Sequence, residues 1–413
     1  MTHSEHTGKK VGKKKLHHHV TKYLFERDTI FATISVFILL ILLGLIPINF
    51  YVLNPMKLAL KDFDFNDIAY AKLEKSANTP IDSNIVIVNI GQSDREGIAY
   101  LIEKVSVMQP KVIGLDVLFE GEREAHKDSI LRTVFEKTKN LIAVSRLVPG
   151  KKEIYVDTNN FDNSIKMRGA ANLIGEEVGT IRYYAPFEEV NGERYPHITS
   201  AIVKEFDNAA YKKLEERHKA VEAINYSRRI HQYKIVEFED MMMDNVDPSY
   251  LKDKIVLLGY INPNPNDIED KKFTPMNPKF AGKATPDMNG VVVQANIISM
   301  VLDGNYIKKM PKWFAWLVAA IVGWIHMSLF VHYYLEDHIW FHLVAKLAQV
   351  FSAIFFAYLG IFIFDKFAIK LDMKYTLYVI VLAVDVIYFY EALVVWLHKK
   401  FGFRTVFHQH HHG

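Results

Sequence analysis

The sequence predicts an α/β extracytoplasmic domain with a largely parallel sheet, carried on four α-helical transmembrane spans, one before it and three after. Three observations predict this. Half of the 413 residues are apolar, yet the 50 basic and 47 acidic side chains are kept almost wholly out of four long runs. Residues 54–310 separate the first run from the other three. Within that stretch, short β-branched runs alternate with segments of helical period, the pattern of an α/β layer.

The first run, Ile30 to Leu53, reads IFATISVFILLILLGLIPINFYVL. At ~1.5 Å per residue it crosses a hydrocarbon core of roughly 30 Å. It is longer than the roughly 7–15 apolar residues of a signal-peptide core. No small-residue cleavage site follows in Tyr51–Val52–Leu53–Asn54–Pro55, so residues 29–53 read as an uncleaved anchor. The later spans are residues 312–332, 339–364 and 375–397. Tyr51, Trp313, Trp340 and Trp396 fall near span ends, where aromatic belts form.

Residues 1–28 carry seven Lys/Arg and read as a disordered basic arm on the cytoplasmic side, able to contact anionic lipid. Four spans then return residues 398–413 to the cytoplasm, where Lys399, Lys400 and Arg404 agree. The loop Asp365–Lys374 disagrees, with Lys366, Lys370 and Lys374 left outside; the longer basic segment decides. The extracytoplasmic body, residues 54–310, holds 35 Lys+Arg and 38 Asp+Glu. Such neutrality excludes a polyanion such as nucleic acid as its partner.

In that body Ile85–Ile90, Val112–Phe119, Leu141–Leu147, Thr180–Tyr184 and Ile255–Ile261 read as strands. Arg95–Val107, Ser129–Phe135, Ile198–Ala223 and Val291–Leu302 read as helices. Zero cysteines remove disulfide scaffolds, thiolate zinc sites and Cys nucleophiles. There is no G-x-S-x-G elbow, phosphate loop, G-x-G-x-x-G or H-E-x-x-H. His126, His197, His218 and His231 lack metal-ligand spacing, and the acids of Asp62–Asp64 and Glu237–Asp240 lack the glycine of a calcium loop. The expectation is a protein with no catalytic residues, cofactor or metal. The clusters His17–His19 and His408–His412 receive no function.

Six segments in order carry a resemblance. Ile85–Ile90 resembles the opening strand of the type-two CHASE family, and Lys111–Phe119 its "vIgfDilF" strand. Glu177–Pro186 with Asn191–Ile202 resembles the family's hairpin and next helix. Ile224–Tyr226, then Leu251–Tyr260 (LKDKIVLLGY), resemble its "l-gKiVliG" strand. Asp270, Thr274 and Pro275 match D-x-x-x-T-P, and Gly290–Asn296 (GVVVQAN) resembles "Gv-ihAN". The resemblance spans residues 80–310 and the layout of helices. It implies the extracytoplasmic sensory domain of a bacterial inner-membrane receptor. Two departures mark this chain: the W-P-W-x-R stretch after the first strand is missing, and Gln294 stands where the family usually has His.

Independently of the resemblance, Asp116 interrupts an apolar strand, so it lies near the C-terminal edge of the sheet or is buried with a partner. Ligands in open α/β sheets bind outside that edge. Asp270, Thr274, Gln294 and Asn296 fall after the Ile255–Ile261 strand or early in the last helix, at the same end. These five are the candidate ligand-binding residues. The bland alternative is that Asp116 and Asp270 cap helices or fix loops.

His326, Lys346, Asp385 and Glu391 fall inside the last three spans. Counted from the span ends, His326, Lys346 and Glu391 all lie ~10 Å from the cytoplasmic side. Unpaired charge in hydrocarbon is costly, so Lys346 is expected to pair with Glu391, with His326 nearby. Asp385 is closer to mid-membrane; contact between helices or with a partner subunit is its expected use, ahead of transport.

Family receptors usually carry a kinase or cyclase after the last helix, whereas 16 residues follow Leu397 here. The first expectation is therefore a sensory or ligand-binding membrane protein acting through a signalling partner. The alternatives are an accessory or scaffold subunit of an envelope complex, and a membrane enzyme or transporter. Expected partners are membrane lipid, one of those proteins, and further copies of the chain.

Overall fold

The structure, a computed structural model, describes residues 22–45, 66–72, 79–149, 154–157, 161, 163–175, 179–262, 264, 267–278, 285–336 and 338–407. The chain divides into two compact units, one of residues 54–308 and one formed by the flanking segments. The basic arm up to residue 21, the end of the first span, Asp62–Asp64 and both His clusters lie outside the described residues.

The unit of residues 54–308 is built on six parallel strands: β1 (Ile85–Asn89), β2 (Val112–Leu115), β3 (Leu141–Ser145), β4 (Met167–Ala170), β5 (Lys234–Val236) and β6 (Ile255–Gly259). Their order is β5-β1-β6-β2-β3-β4. Ile85 stands opposite Ile255, Ile255 opposite Val112, and Ile113 opposite Leu141. Every residue of β1, β2, β3 and β6 is buried, which is why these strands read as unbroken apolar runs instead of alternating ones.

Helices cover both faces. On one, α1 (Arg95–Val107) and α2 (Ala125–Lys137) pack Leu101, Ile102, Leu131 and Phe135 onto Val86, Ile113 and Val256. Asp94 caps α1 by accepting from the Gly97 amide at 2.9 Å. A buried ion pair, Arg95 to Asp128 at 2.5 Å, joins the two helices. On the other face lie α3 (Ile198–Phe206) and α5 (Gly290–Leu302), with α4 (Asn208–Glu216) beside them. The approach of α3 to β4 requires Gly169: a Cβ there would fall 2.6 Å from backbone atoms of Ile198.

The expected helix over 198–223 is instead two helices and a short strand. Asp207 breaks it by accepting from the amides of Ala209 and Ala210 at 2.9 and 3.1 Å, starting α4 anew. Glu216 ends α4, and Glu222–Ala223 pairs with Tyr183–Tyr184. The second strand stops at Leu115, leaving Asp116 outside it.

Among the described residues, the second unit contains four helices long and apolar enough to cross a membrane. They are Arg27–Leu45 and, after the α/β unit, α6 (Lys312–Glu336), α7 (His338–Phe367) and α8 (Lys374–Phe401). Ala32, Val36, Ala319, Met327, Phe330, Val379, Ala383 and Ile387 form their shared core. Asp28 is buried at the start of the first of these helices. It accepts from the Tyr390 hydroxyl at 2.7 Å, the Val406 amide at 2.7 Å and the Thr405 hydroxyl at 3.1 Å, so the segment after α8 is folded back onto it.

The expected Lys346–Glu391 pair does not form. Glu391 accepts from the Tyr334 hydroxyl, and Lys346 is exposed on the outer side of α7. His326 is held elsewhere, by Val322 O and Ser352 Oγ, both at 2.9 Å. Asp385 is exposed on α8.

Candidate functional site

The ends of β2, β3 and β6 open into a cleft of about 930 Å³ on the C-terminal edge of the sheet. Each strand delivers the residue that follows its last buried position. Asp116 follows β2, Ser145 ends β3 with Arg146 after it, and Tyr260 follows β6. This is where an open parallel sheet presents its loops and helix starts to a ligand.

The floor of the cleft is the start of α5. The two-residue ladder of Lys271–Lys272 with Met288–Asn289 sets Asp270 against Gly290, whose amide donates to Asp270 O at 3.3 Å. A Cβ on Gly290 would lie 3.7 and 3.8 Å from the Asp270 carboxylate oxygens and 3.9 Å from Asp116 Oδ2. Two carboxylates from distant segments thus converge over the helix start, where the backbone dipole favours negative charge. Asp270 itself has a left-handed backbone, φ 54°. One turn along, the buried Gln294 donates its amide to Asp116 Oδ1 at 2.9 Å.

Three of the five candidates thus meet: Asp116, Asp270 and Gln294 line the cleft. Asp116 is both of the things foreseen for it, a strand-edge residue and a bonded one. Thr274 and Asn296 do other work. Thr274 donates its amide and hydroxyl to Asp287 at 2.8 and 2.6 Å, and its oxygen accepts from the Met276 amide at 3.2 Å. Asn296 is fully buried; it accepts from the amides of Ser227 and Arg228, both at 3.1 Å, and donates to Arg228 O and Val292 O. Both fix loops and lie outside the cleft lining. Asn89, at the end of β1, is also a tie: it accepts from the amides of Ile261 and Gly91 and donates to Glu237 at 2.7 Å.

Lys272, Arg146, Tyr155, Asp157 and Tyr260 also line the cleft and carry no motif in the sequence. Tyr260 alone had a signal, its position straight after an apolar run ending in glycine. Its hydroxyl lies 3.2 Å from Gln92 Nε2 and 3.4 Å from Glu269. Burial of Asp287 pushes its carboxyl up to about 6, against the pull of its two bonds from Thr274. Burial also pulls His197 down to about 3; its Nδ1 caps α3 by accepting from the Thr199 amide at 3.3 Å. The arrangement offers fixed hydrogen-bond acceptors of negative charge together with Lys272 and Arg146 in one lining. That suits recognition of a small polar molecule.

A parallel α/β domain with a polar cleft at its strand ends, in one chain with four helices long and apolar enough to cross a membrane, fits a multi-pass membrane protein. A family model of the CHASE2 domain matches residues 34–331, and the chain belongs to that family. Comparisons with curated proteins and with solved structures gave no match. CHASE2 is a sensory domain, so the chain is a membrane protein of signal transduction.

Proposed function

We propose that this protein is a receptor of the bacterial inner membrane whose extracytoplasmic unit binds a small polar molecule in the cleft over Gly290. It is a sensor rather than an enzyme, and its output is carried by a partner protein. The observation that carries this reading is the convergence of Asp116 and Asp270 on a helix start inside a cleft of about 930 Å³. Paired carboxylates beside a buried amide recognise groups that bring their own donors, above all an amine. Lys272 and Arg146 in the same lining suit an additional acceptor or anionic group, so amino acids and amino sugars are the favoured class.

Occupancy would act on α5, which carries both Gly290 and Gln294, and nine residues separate Leu302 at its end from Lys312 at the start of α6. A ligand that favours one position of α5 shifts the equilibrium only by its differential affinity for the two states. The basic N-terminal arm supports cytoplasmic ends for the chain.

The test is thermal unfolding of the full chain in mild detergent against a panel of amino acids, amino sugars and simple amines. A bound compound at about 100 times its Kd stabilises by roughly 2.7 kcal/mol. At least one compound is expected to raise Tm, and Asp116→Asn and Asp270→Asn should each abolish the shift. No shift across the panel, or shifts unchanged in both variants, would count against the reading.

A further inference from the structure

Two opposite charges stand on the outer flank of the membrane unit. Lys346 on α7 and Asp385 on α8 are both exposed, and neither has a hydrogen bond or ion pair among the described residues. Contacts between the two antiparallel helices fix their relative height. The His342 ring stacks on Tyr388 with centroids 6.3 Å apart, and the Tyr388 hydroxyl lies 3.3 Å from His342 Nδ1. Seven residues further along α7, Gln349 Nε2 donates to Ile380 O at 3.0 Å and Val381 O at 2.8 Å. Moving from 342 to 349 on one helix therefore matches moving from 388 back to 381 or 380 on the other. Lys346 is level with Val384 and Asp385.

The two charges also share a side. Lys346 is four residues from His342, and Asp385 three from Tyr388, so each lies on the flank marked by the His342–Tyr388 stack. Besides the exposed His342 and Tyr388, the flank carries the exposed apolar residues Leu343, Val350, Val381 and Phe389. A lysine and an aspartate at one level on helices of membrane-spanning length, each without a hydrogen bond or ion pair among the described residues, are costly unless something answers them.

We propose that this flank is a contact between two copies of the chain, with Lys346 of each copy paired to Asp385 of the other. A two-fold axis along the membrane normal keeps every residue at its depth. It brings the same patch of both copies together, so that residue i meets j and j meets i. A patch carrying one basic and one acidic residue at a single level is self-complementary under that operation. This proposal rests on α7 and α8 alone and is independent of the ligand cleft.

Reversing charges tests it in a way that separates copies from a pair within one chain. Two full-length chains with different tags are co-expressed, extracted in mild detergent, and captured through one tag. Wild type is expected to co-purify with wild type. Lys346→Asp leaves two acids on the flank and Asp385→Lys two bases, so each variant should co-purify with itself at least five-fold less. Mixed with each other, the two variants should return to the wild-type level, because both cross pairs are then opposite in charge. Rescue by the double reversal within one chain but none in the mixture would place the pair inside the chain and overturn the proposal. Absence of wild-type co-purification would overturn it too. If a reversed chain accumulates only alongside its opposite, that supports the contact. If neither accumulates even together, Lys346→Gln and Asp385→Asn replace them, and unchanged co-purification of these neutral chains would overturn it.

Discussion

The side-chain amide of Gln294 donates to Asp116 at 2.9 Å, tying the second turn of α5 to the end of β2, 178 residues earlier in the chain. This bond couples the floor of the cleft to its wall. Gln294→Leu should remove it at a cost of about 1.5–3 kcal/mol, the range for bonds to charged groups. Gln294→Glu should cost more, since it sets a second carboxylate against Asp116. Gln294→His, the residue usual in the family, keeps a donor and should remain closest to wild type. Thermal unfolding in detergent ranks the three.

Gly169→Ala is expected to be disruptive despite its size. The added carbon would meet backbone atoms of Ile198 at 2.6 Å, and backbone cannot swing aside as a side chain does. Separation of α3 from β4 should lower stability by about 3 kcal/mol. Gly121→Ala, where a Cβ meets nothing within 4 Å but φ is +62°, gives a control for backbone strain without a clash.

The pH dependence has two opposing parts. His197 is held neutral down to about 3, against 6.5 when free, so the unfolded chain binds the extra proton first. Its contribution is present above pH 6.5 and is lost as pH falls toward 3. Asp287 ionises only at about 6, against 3.8 when free, so its contribution is present below pH 3.8 and is lost as pH rises through 6. Each has a slope of about 1.4 kcal/mol per pH unit inside its window. Where the windows overlap, between pH 4 and 6, they offset each other. His197→Asn, which keeps a cap acceptor for α3, should therefore make the protein more stable on acidification from pH 6 to 4 relative to wild type. Asp287→Asn should make it less stable over the same range.

The Asp28 clamp predicts a proteolytic signature. Its carboxylate gathers the Tyr390 hydroxyl, the Thr405 hydroxyl and the Val406 amide, while Arg27 bonds to Arg404 O. Asp28→Ala leaves three donors without their acceptor and should release the segment after α8. Trypsin is then expected to cut after Arg404 at least ten times faster than in wild type, read by intact mass.

What the sequence disclosed followed burial. β1 and β6 were plain because strands buried on both faces are continuous β-branched runs, and the last helix because GVVVQANIISMVL is apolar throughout. β4 and β5 were not read as strands, being three or four residues long, carrying Arg168 and Lys234, and lying at the sheet's two edges. The helical period ran on past Asp207, and only the cap showed that the axis changes there. In the site, Asp116, Asp270 and Gln294 were legible from their place at strand ends and helix start. Thr274 and Asn296 share that place in sequence, but their side chains satisfy buried loop amides instead. The Lys346–Glu391 pairing failed because depth was counted from span ends, while α8 runs on to Phe401 and shifts the register.

The most direct test of the cleft is native mass spectrometry of the full chain, purified in mild detergent beside the Asp116→Asn/Asp270→Asn double variant. A sensor cleft of this chemistry predicts a small polar molecule of defined mass on the wild type that the double variant has lost. A wild-type chain that stays bare when titrated with the compounds of the thermal panel, or one whose bound molecule persists unchanged in the double variant, would contradict it.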